Sequence, residues 1–109
     1  MAFTPNFAAS EPSRAAIDAQ AGPLLLEFGA PWCGHCQAAQ PLIAEAMLAH
    51  DALAHIKIED GPGRALGRSF RVKLWPTLIL IKNGIEIGRL VRPSDLVVLQ
   101  KALATLVAT

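Results

Sequence analysis

The chain's two cysteines, Cys33 and Cys36, stand three positions apart in Trp32-Cys33-Gly34-His35-Cys36, at the seam between a short apolar run and a helical pattern. Ahead of them, Leu24-Leu25-Leu26-Glu27-Phe28 is too brief for a helix and does not alternate, which predicts a strand covered on both faces. Gly29-Ala30-Pro31 breaks that strand. Behind them, Cys33 to Ala49 carries Cys36, Ile43 and Met47 near helical period, with Pro41 removing one backbone donor and predicting a kink. A thiol on the first turn of such a helix meets unpaired backbone N–H groups and the positive end of the dipole, both of which favour thiolate. The thiolate is the attacking species. Two intervening residues bring the second sulfur within reach, so a mixed disulfide formed at Cys33 can be resolved by Cys36.

The remaining elements follow in order. Ser10 to Ala21 suits a helix with Ser10 as its N-cap and a proline in its first turn, ended by Gly22-Pro23. Leu53 to Ile58 alternates as a strand, and Gly61-Pro62-Gly63 precedes a short helix through Phe70. Pro76 precedes the β-like run Thr77 to Ile81, and Asn83-Gly84 is a hairpin signal that pairs it antiparallel with Ile85 to Val91. Pro93-Ser94-Asp95 opens a last helix with Leu96, Leu99, Leu103 and Leu106 on one stripe. Parallel βαβ units followed by a hairpin and a covering helix imply an α/β protein, a three-layer sandwich with helices on both sheet faces.

At 109 residues with 52% apolar content, the chain reads as one domain, residues 1–109, with 1–9 as an N-terminal extension and no need of a disulfide scaffold. A net charge of +1 and scattered Lys and Arg give no sign of a nucleic-acid or membrane surface; Arg64, Arg68, Arg71 and Lys73 read as a solvated helix face. The start, Met1 to Asn6, lacks a basic segment and a long apolar one, and no apolar run approaches the roughly 20 residues of a membrane helix. A cytoplasmic location is the expectation.

Taken together, Glu27-Phe28 ahead of the first cysteine, Ala30-Pro31-Trp32-Cys33-Gly34-His35-Cys36, Pro41, Trp75-Pro76-Thr77 and Lys82-Asn83-Gly84 resemble the thioredoxin superfamily from about Gly22 onward. The active-site segment is most similar to that of protein disulfide isomerase domains. The resemblance implies a thioredoxin fold with a mixed central sheet, Cys33 as nucleophile and Cys36 as resolving thiol. It implies a cis Pro76 whose neighbouring backbone pairs with a substrate peptide. It implies that Glu27 deprotonates Cys36 and that the chain, binding no cofactor itself, receives electrons from NADPH through a thioredoxin reductase and acts as a monomer on protein disulfides.

Several residues admit two readings. Glu27 interrupts an apolar run, as a desolvated carboxyl suited to proton transfer or as an exposed edge position. His55 stands where the family commonly has a lysine beside that acid, giving a pH-sensitive coupling, or it is a surface histidine sharing a polar strand face with Lys57. His35, between the cysteines beside Gly34, further stabilises a Cys33 thiolate and makes the disulfide a stronger oxidant. Trp32 and Trp75 form an apolar substrate platform or fill core space. Gly29 replaces a usually aromatic residue, and Arg92 replaces a usual glycine, where it narrows the groove or selects acidic partners.

Three function classes are carried forward. The first is a cytoplasmic reductase of protein disulfides, with isomerase or oxidase as the alternative on the same site. The second is a zinc module, since Cys33-x2-Cys36-x13-His50-x4-His55 matches a Cys2His2 spacing, although its cysteines precede a helix and His55 lies in a strand. The third is a redox-inactive interaction module, against which the intact cysteine pair argues. Gln37 rather than histidine follows Cys36, which disfavours covalent haem.

Overall fold

The strand that carries Glu27, β1 (Pro23–Gly29), lies inside the sheet of a computed structural model that describes residues 3–108. Its neighbours are β2 (Ala54–Glu59) and β3 (Thr77–Lys82), and β4 (Ile85–Val91) closes the order β2-β1-β3-β4. Only β1 and β2 pair in parallel, across α2 (Gly34–Met47); β3 runs antiparallel to both β1 and β4. One parallel βαβ unit is thus present rather than several, because the connection through α3 (Ala65–Ser69) returns the chain in the opposite direction on the far side of β1. α1 (Arg14–Asp18) and α4 (Leu96–Val107) complete the elements.

Alternation along β1 distributes its side chains to two layers. Leu24, Leu26 and Phe28 join Ile79 and Ile81 of β3, Ile17 of α1 and Leu66 of α3 in one core. Leu25 faces the opposite way, with Leu78, Leu80, Ile43 and Met47 of α2, and the buried stripe Leu99, Leu103 and Leu106 of α4. The molecule is therefore a helix–sheet–helix sandwich, and Glu27, two residues from Leu25, points to the α2 and α4 side.

The hairpin turn has positive φ at both central residues, 51° at Asn83 and 78° at Gly84, which is the backbone of a type I′ turn. Gly84 sits against the Asp18 carbonyl with no room for a Cβ.

The expected cap of the first helix changes. Ser13, not Ser10, caps α1, its side chain accepting the Ala16 N–H at 3.0 Å, so the helix starts later and Pro12 lies before the cap. Residues 3–8 of the extension run along β2 with a backbone hydrogen bond from the Ala8 N–H to the Lys57 carbonyl at 2.8 Å; Met1 and Ala2 fall outside the described residues. α2 continues through Pro41, which sits exposed on its outer face. Arg68, Arg71 and Lys73 are exposed and Arg64 is half-buried, as a solvated surface requires.

Candidate active site

β1 ends against the turn that presents the cysteines. Cys33 is the N-cap of α2: its sulfur accepts the Cys36 N–H at 3.2 Å, and its carbonyl accepts the Gln37 N–H at 3.0 Å. Both cysteines are free and nearly buried, 7% and 3% exposed. Burial, reinforced by a hydrogen bond to Cys33 and by the negative charge of Glu27, pushes the Cys36 thiol from its ordinary 9.0 up to about 12. Cys36 is thus a protonated thiol at neutral pH. Gly29, at the end of β1, explains itself here: a Cβ at that position would lie 2.7 Å from the Cys36 sulfur, so the chain has a glycine where the sulfur seats.

Beneath Cys36 lies a closed polar cluster. Glu27 is 1% exposed and central in the sheet, which excludes the exposed-edge reading. Each of its carboxylate oxygens meets one donor, Oε1 the His55 Nε2 at 2.9 Å and Oε2 the Gln40 Nε2 at 2.8 Å. Gln40 lies one turn after Cys36 on α2 and also donates to the Cys36 carbonyl at 2.9 Å. Its own amide oxygen accepts from the Lys57 ammonium at 2.8 Å, and Lys57 donates further to the Pro5 carbonyl at 3.0 Å. Among the described residues no buried side-chain nitrogen or oxygen lacks a partner.

His55 and Lys57 do share one face of β2, but that face is covered, not wet: their residues are 7% and 6% exposed. The surface-histidine reading is therefore corrected. The cause is the run of residues 3–8, which closes over them, with the Phe3 ring tilted against His55 at 5.5 Å between centroids and Phe7 under the Lys57 ammonium at 4.7 Å. The strand register also pairs Glu27 with Lys57 rather than with His55. A lysine is thus retained near the acid, one amide away, and His55 is an additional direct partner. Gln40 did not stand out in the sequence; its spacing of four from Cys36 is the signal that puts those two residues on one helix face.

Above the cysteines the surface is aromatic. Trp32 is 73% exposed and meets the half-buried Trp75 edge-on, with ring centroids 5.4 Å apart. Trp75 is anchored by its Nε1 donating to Asp60 at 2.9 Å, and it packs on Ala30, Cys33 and Cys36. The pair lies at the surface rather than filling core space. The Trp75–Pro76 peptide is cis. Arg92 holds a left-handed φ of 50°, the region that favours glycine. Its N–H donates to the Pro76 carbonyl at 2.8 Å and its side-chain Nε to the Trp75 carbonyl at 3.0 Å. The side chain therefore lies across the backbone before Pro76. His35, exposed on the first turn of α2, shares with Arg92, Leu42 and Ser94 a cleft of about 130 Å³.

The zinc spacing does not become a site. His50 follows α2 in a turn, both nitrogens of His55 are engaged by Thr4 and Glu27, and no group of three or more His, Cys, Asp or Glu is placed to hold a metal ion among the described residues. Nor is any described helix long and apolar enough to cross a membrane.

Comparison with known proteins matches residues 7–105 to the family described as Thioredoxin. The solved structure of thioredoxin 2 from Pseudomonas aeruginosa PAO1 in its reduced form is similar at a TM-score of 0.86 and 51% identity, over 96% of this chain and 97% of that one. Thioredoxin H2-1 of Oryza sativa subsp. japonica is 31% identical over 83 residues, 76% of this chain and 59% of that protein. Protein disulfide-isomerase A2 of Homo sapiens is 43% identical over 65 residues, 56% of this chain and 12% of that protein. The chain thus spans less than two thirds of the length of these two curated relatives.

Proposed function

The chain belongs to the thioredoxin family, and from that premise we propose that it reduces disulfide bonds in other proteins, with Cys33 attacking, Cys36 resolving and Glu27 serving as the base. The Cys33 thiolate attacks one sulfur of the substrate disulfide, forming a mixed disulfide and releasing the other sulfur as a thiolate. The Cys36 thiol then gives its proton toward Glu27 and attacks the Cys33 sulfur. The Cys33–Cys36 bond forms, the bond from Cys33 to substrate breaks, and the second substrate sulfur leaves as a thiolate. Two electrons pass from the cysteine pair to the substrate.

The observation that carries this reading is the contrast within the pair. Cys33 caps a helix and accepts a backbone N–H, while Cys36 is pushed up to about 12 with a buried carboxylate nearby. A thiol so protonated needs a base to become a nucleophile, and Glu27 supplies one within its electrostatic reach. Trp32, Trp75 and the backbone before Pro76 receive the substrate chain, Gly34 and His35 tune the cysteine pair, and His55 holds Glu27. The oxidised pair is recharged by NADPH through a thioredoxin-reductase-like donor, in the cytoplasm, with the chain acting as a monomer. The test is reduction of a protein disulfide with dithiothreitol as donor: Cys33→Ser abolishes turnover, and Cys36→Ser accumulates the mixed disulfide. Turnover by Cys33→Ser would overturn the assignment.

His35 favours a second reading, isomerase or oxidase, because a histidine between the two cysteines in sequence favours the Cys33 thiolate and so a higher potential. The equilibrium with glutathione decides between them. A potential near about −270 mV supports the reductase and one near about −180 mV supports the isomerase.

A further inference from the structure

Residues 3–8 are built into the buried cluster. The Thr4 N–H donates to His55 Nδ1 at 2.9 Å and the Thr4 hydroxyl donates to the His55 carbonyl at 2.8 Å. Farther along, Pro5 accepts from Lys57 and the Ala8 N–H donates to the Lys57 carbonyl. The segment is therefore registered on β2 at both residues that face Glu27's side of the sheet, and Phe3 extends it into the core beneath α2 and α4.

A neutral imidazole has one N–H, and its neighbours decide which nitrogen carries it. A backbone amide can only donate, so His55 Nδ1 must accept and the ring proton belongs on Nε2, aimed at Glu27 Oε1. In the other tautomer the Nε2 lone pair would face that oxygen. Two acceptors cannot share that contact unless Glu27 is already protonated, and a protonated Glu27 has no capacity for the Cys36 proton. The remaining groups facing the carboxylate do not decide the matter. Gln40 donates whichever tautomer is present, Lys57 reaches Glu27 only through Gln40, and Cys36 is the proton source.

We propose that Thr4 is a positioning residue for the resolving step: its amide locks His55 as a donor to Glu27 and so keeps Glu27 the free base of the cluster. This rests on Glu27 acting as base, as proposed above. When the Cys33 mixed disulfide is resolved, the proton leaves the Cys36 sulfur for Glu27, the Cys36 sulfur bonds to the Cys33 sulfur, and the substrate sulfur departs.

The test compares Thr4→Pro, which lacks the N–H, with Thr4→Val, which keeps the N–H and lacks only the hydroxyl. Replacing the Thr4 amide by an ester removes the same donor without the proline ring, should Thr4→Pro not fold. Three quantities are read on the full chain: the 15N shifts of the His55 ring, the rate of Cys33 attack, and the rate of mixed-disulfide resolution across pH 6 to 9. Loss of the donor is expected to mix the His55 tautomers, to slow resolution about tenfold near neutrality with an altered pH profile, and to leave Cys33 attack unchanged. Thr4→Val is expected to match the parent in all three. Should Glu27→Gln slow resolution while neither donor-deleting variant does, the role of Thr4 is wrong and the base stands. Should Glu27→Gln itself leave resolution unchanged, both fall.

Discussion

The two faces of β1 are made from adjacent residues and do opposite work. Toward α1 and α3 the strand offers Leu24, Leu26 and Phe28 to a wholly apolar core. Toward α2 and α4 it offers Leu25 and then Glu27, around which an imidazole, an amide and an ammonium are buried with every partner supplied. The first face is stable because apolar area leaves water. The second is tolerated only because its hydrogen bonds are complete, and it adds little stability for what it buries. The difference separates the residues that hold the fold from those proposed to move a proton.

That division can be broken by experiment. Phe28→Ala should cost about 3–5 kcal/mol in denaturant unfolding while leaving the resolution rate of the folded fraction unchanged. A changed rate would mean that the apolar face also sets the chemistry. On the polar face, His55→Leu alone should cost about 2–3 kcal/mol, because the Glu27 carboxylate loses a donor. The double change Glu27→Leu with His55→Leu should restore stability to within about 1 kcal/mol of the parent while slowing resolution about 100-fold. If the double variant is less stable than His55→Leu, the cluster is structural.

The pH dependence sharpens the same contrast. The folded Cys36 thiol is raised from 9.0 to about 12, so folding favours its neutral form. The resulting stabilisation is full below about pH 9 and is lost as pH rises through about 12. Urea midpoints of the reduced protein should therefore decline from pH 9 to pH 11, and Cys36→Ala should flatten that decline. The smallest effect is expected at the rim: Arg92→Gly relieves a left-handed φ and should add about 1 kcal/mol of stability. By uncovering the Trp75 carbonyl it should also lower KM for a protein disulfide. A higher KM would show that the guanidinium binds substrate.

Local signals carried most of the fold. The Asn83-Gly84 turn, the Leu99, Leu103 and Leu106 stripe, and the apolar run of β1 each state their structure within a few residues. The cysteine pair at a strand–helix seam, with the resemblance it anchors, singles out Glu27 and Trp75 from the sequence alone. What stayed hidden depends on non-local contact. Alternation in β2 separates His55 and Lys57 from Ile56 and Ile58, but it does not say which side will be covered. The covering residues, Phe3 to Ala8, have no periodicity of their own and take their conformation from the strand they pack against. Gln40 looks like any polar helix residue until Glu27 is found beneath it. Ser10 and Ser13 are equally good caps by type, and only the Ala16 N–H chooses between them.

The aromatic platform has an optical consequence. The chain has two tryptophans and no tyrosine, and both indoles sit at the cysteines, Trp75 packed against the sulfur-bearing side chains and Trp32 edge-on to it in water. Indole emission from this protein therefore originates wholly beside the reacting bond. Its intensity is therefore expected to report changes at the cysteine pair, with no indole background from elsewhere in the chain.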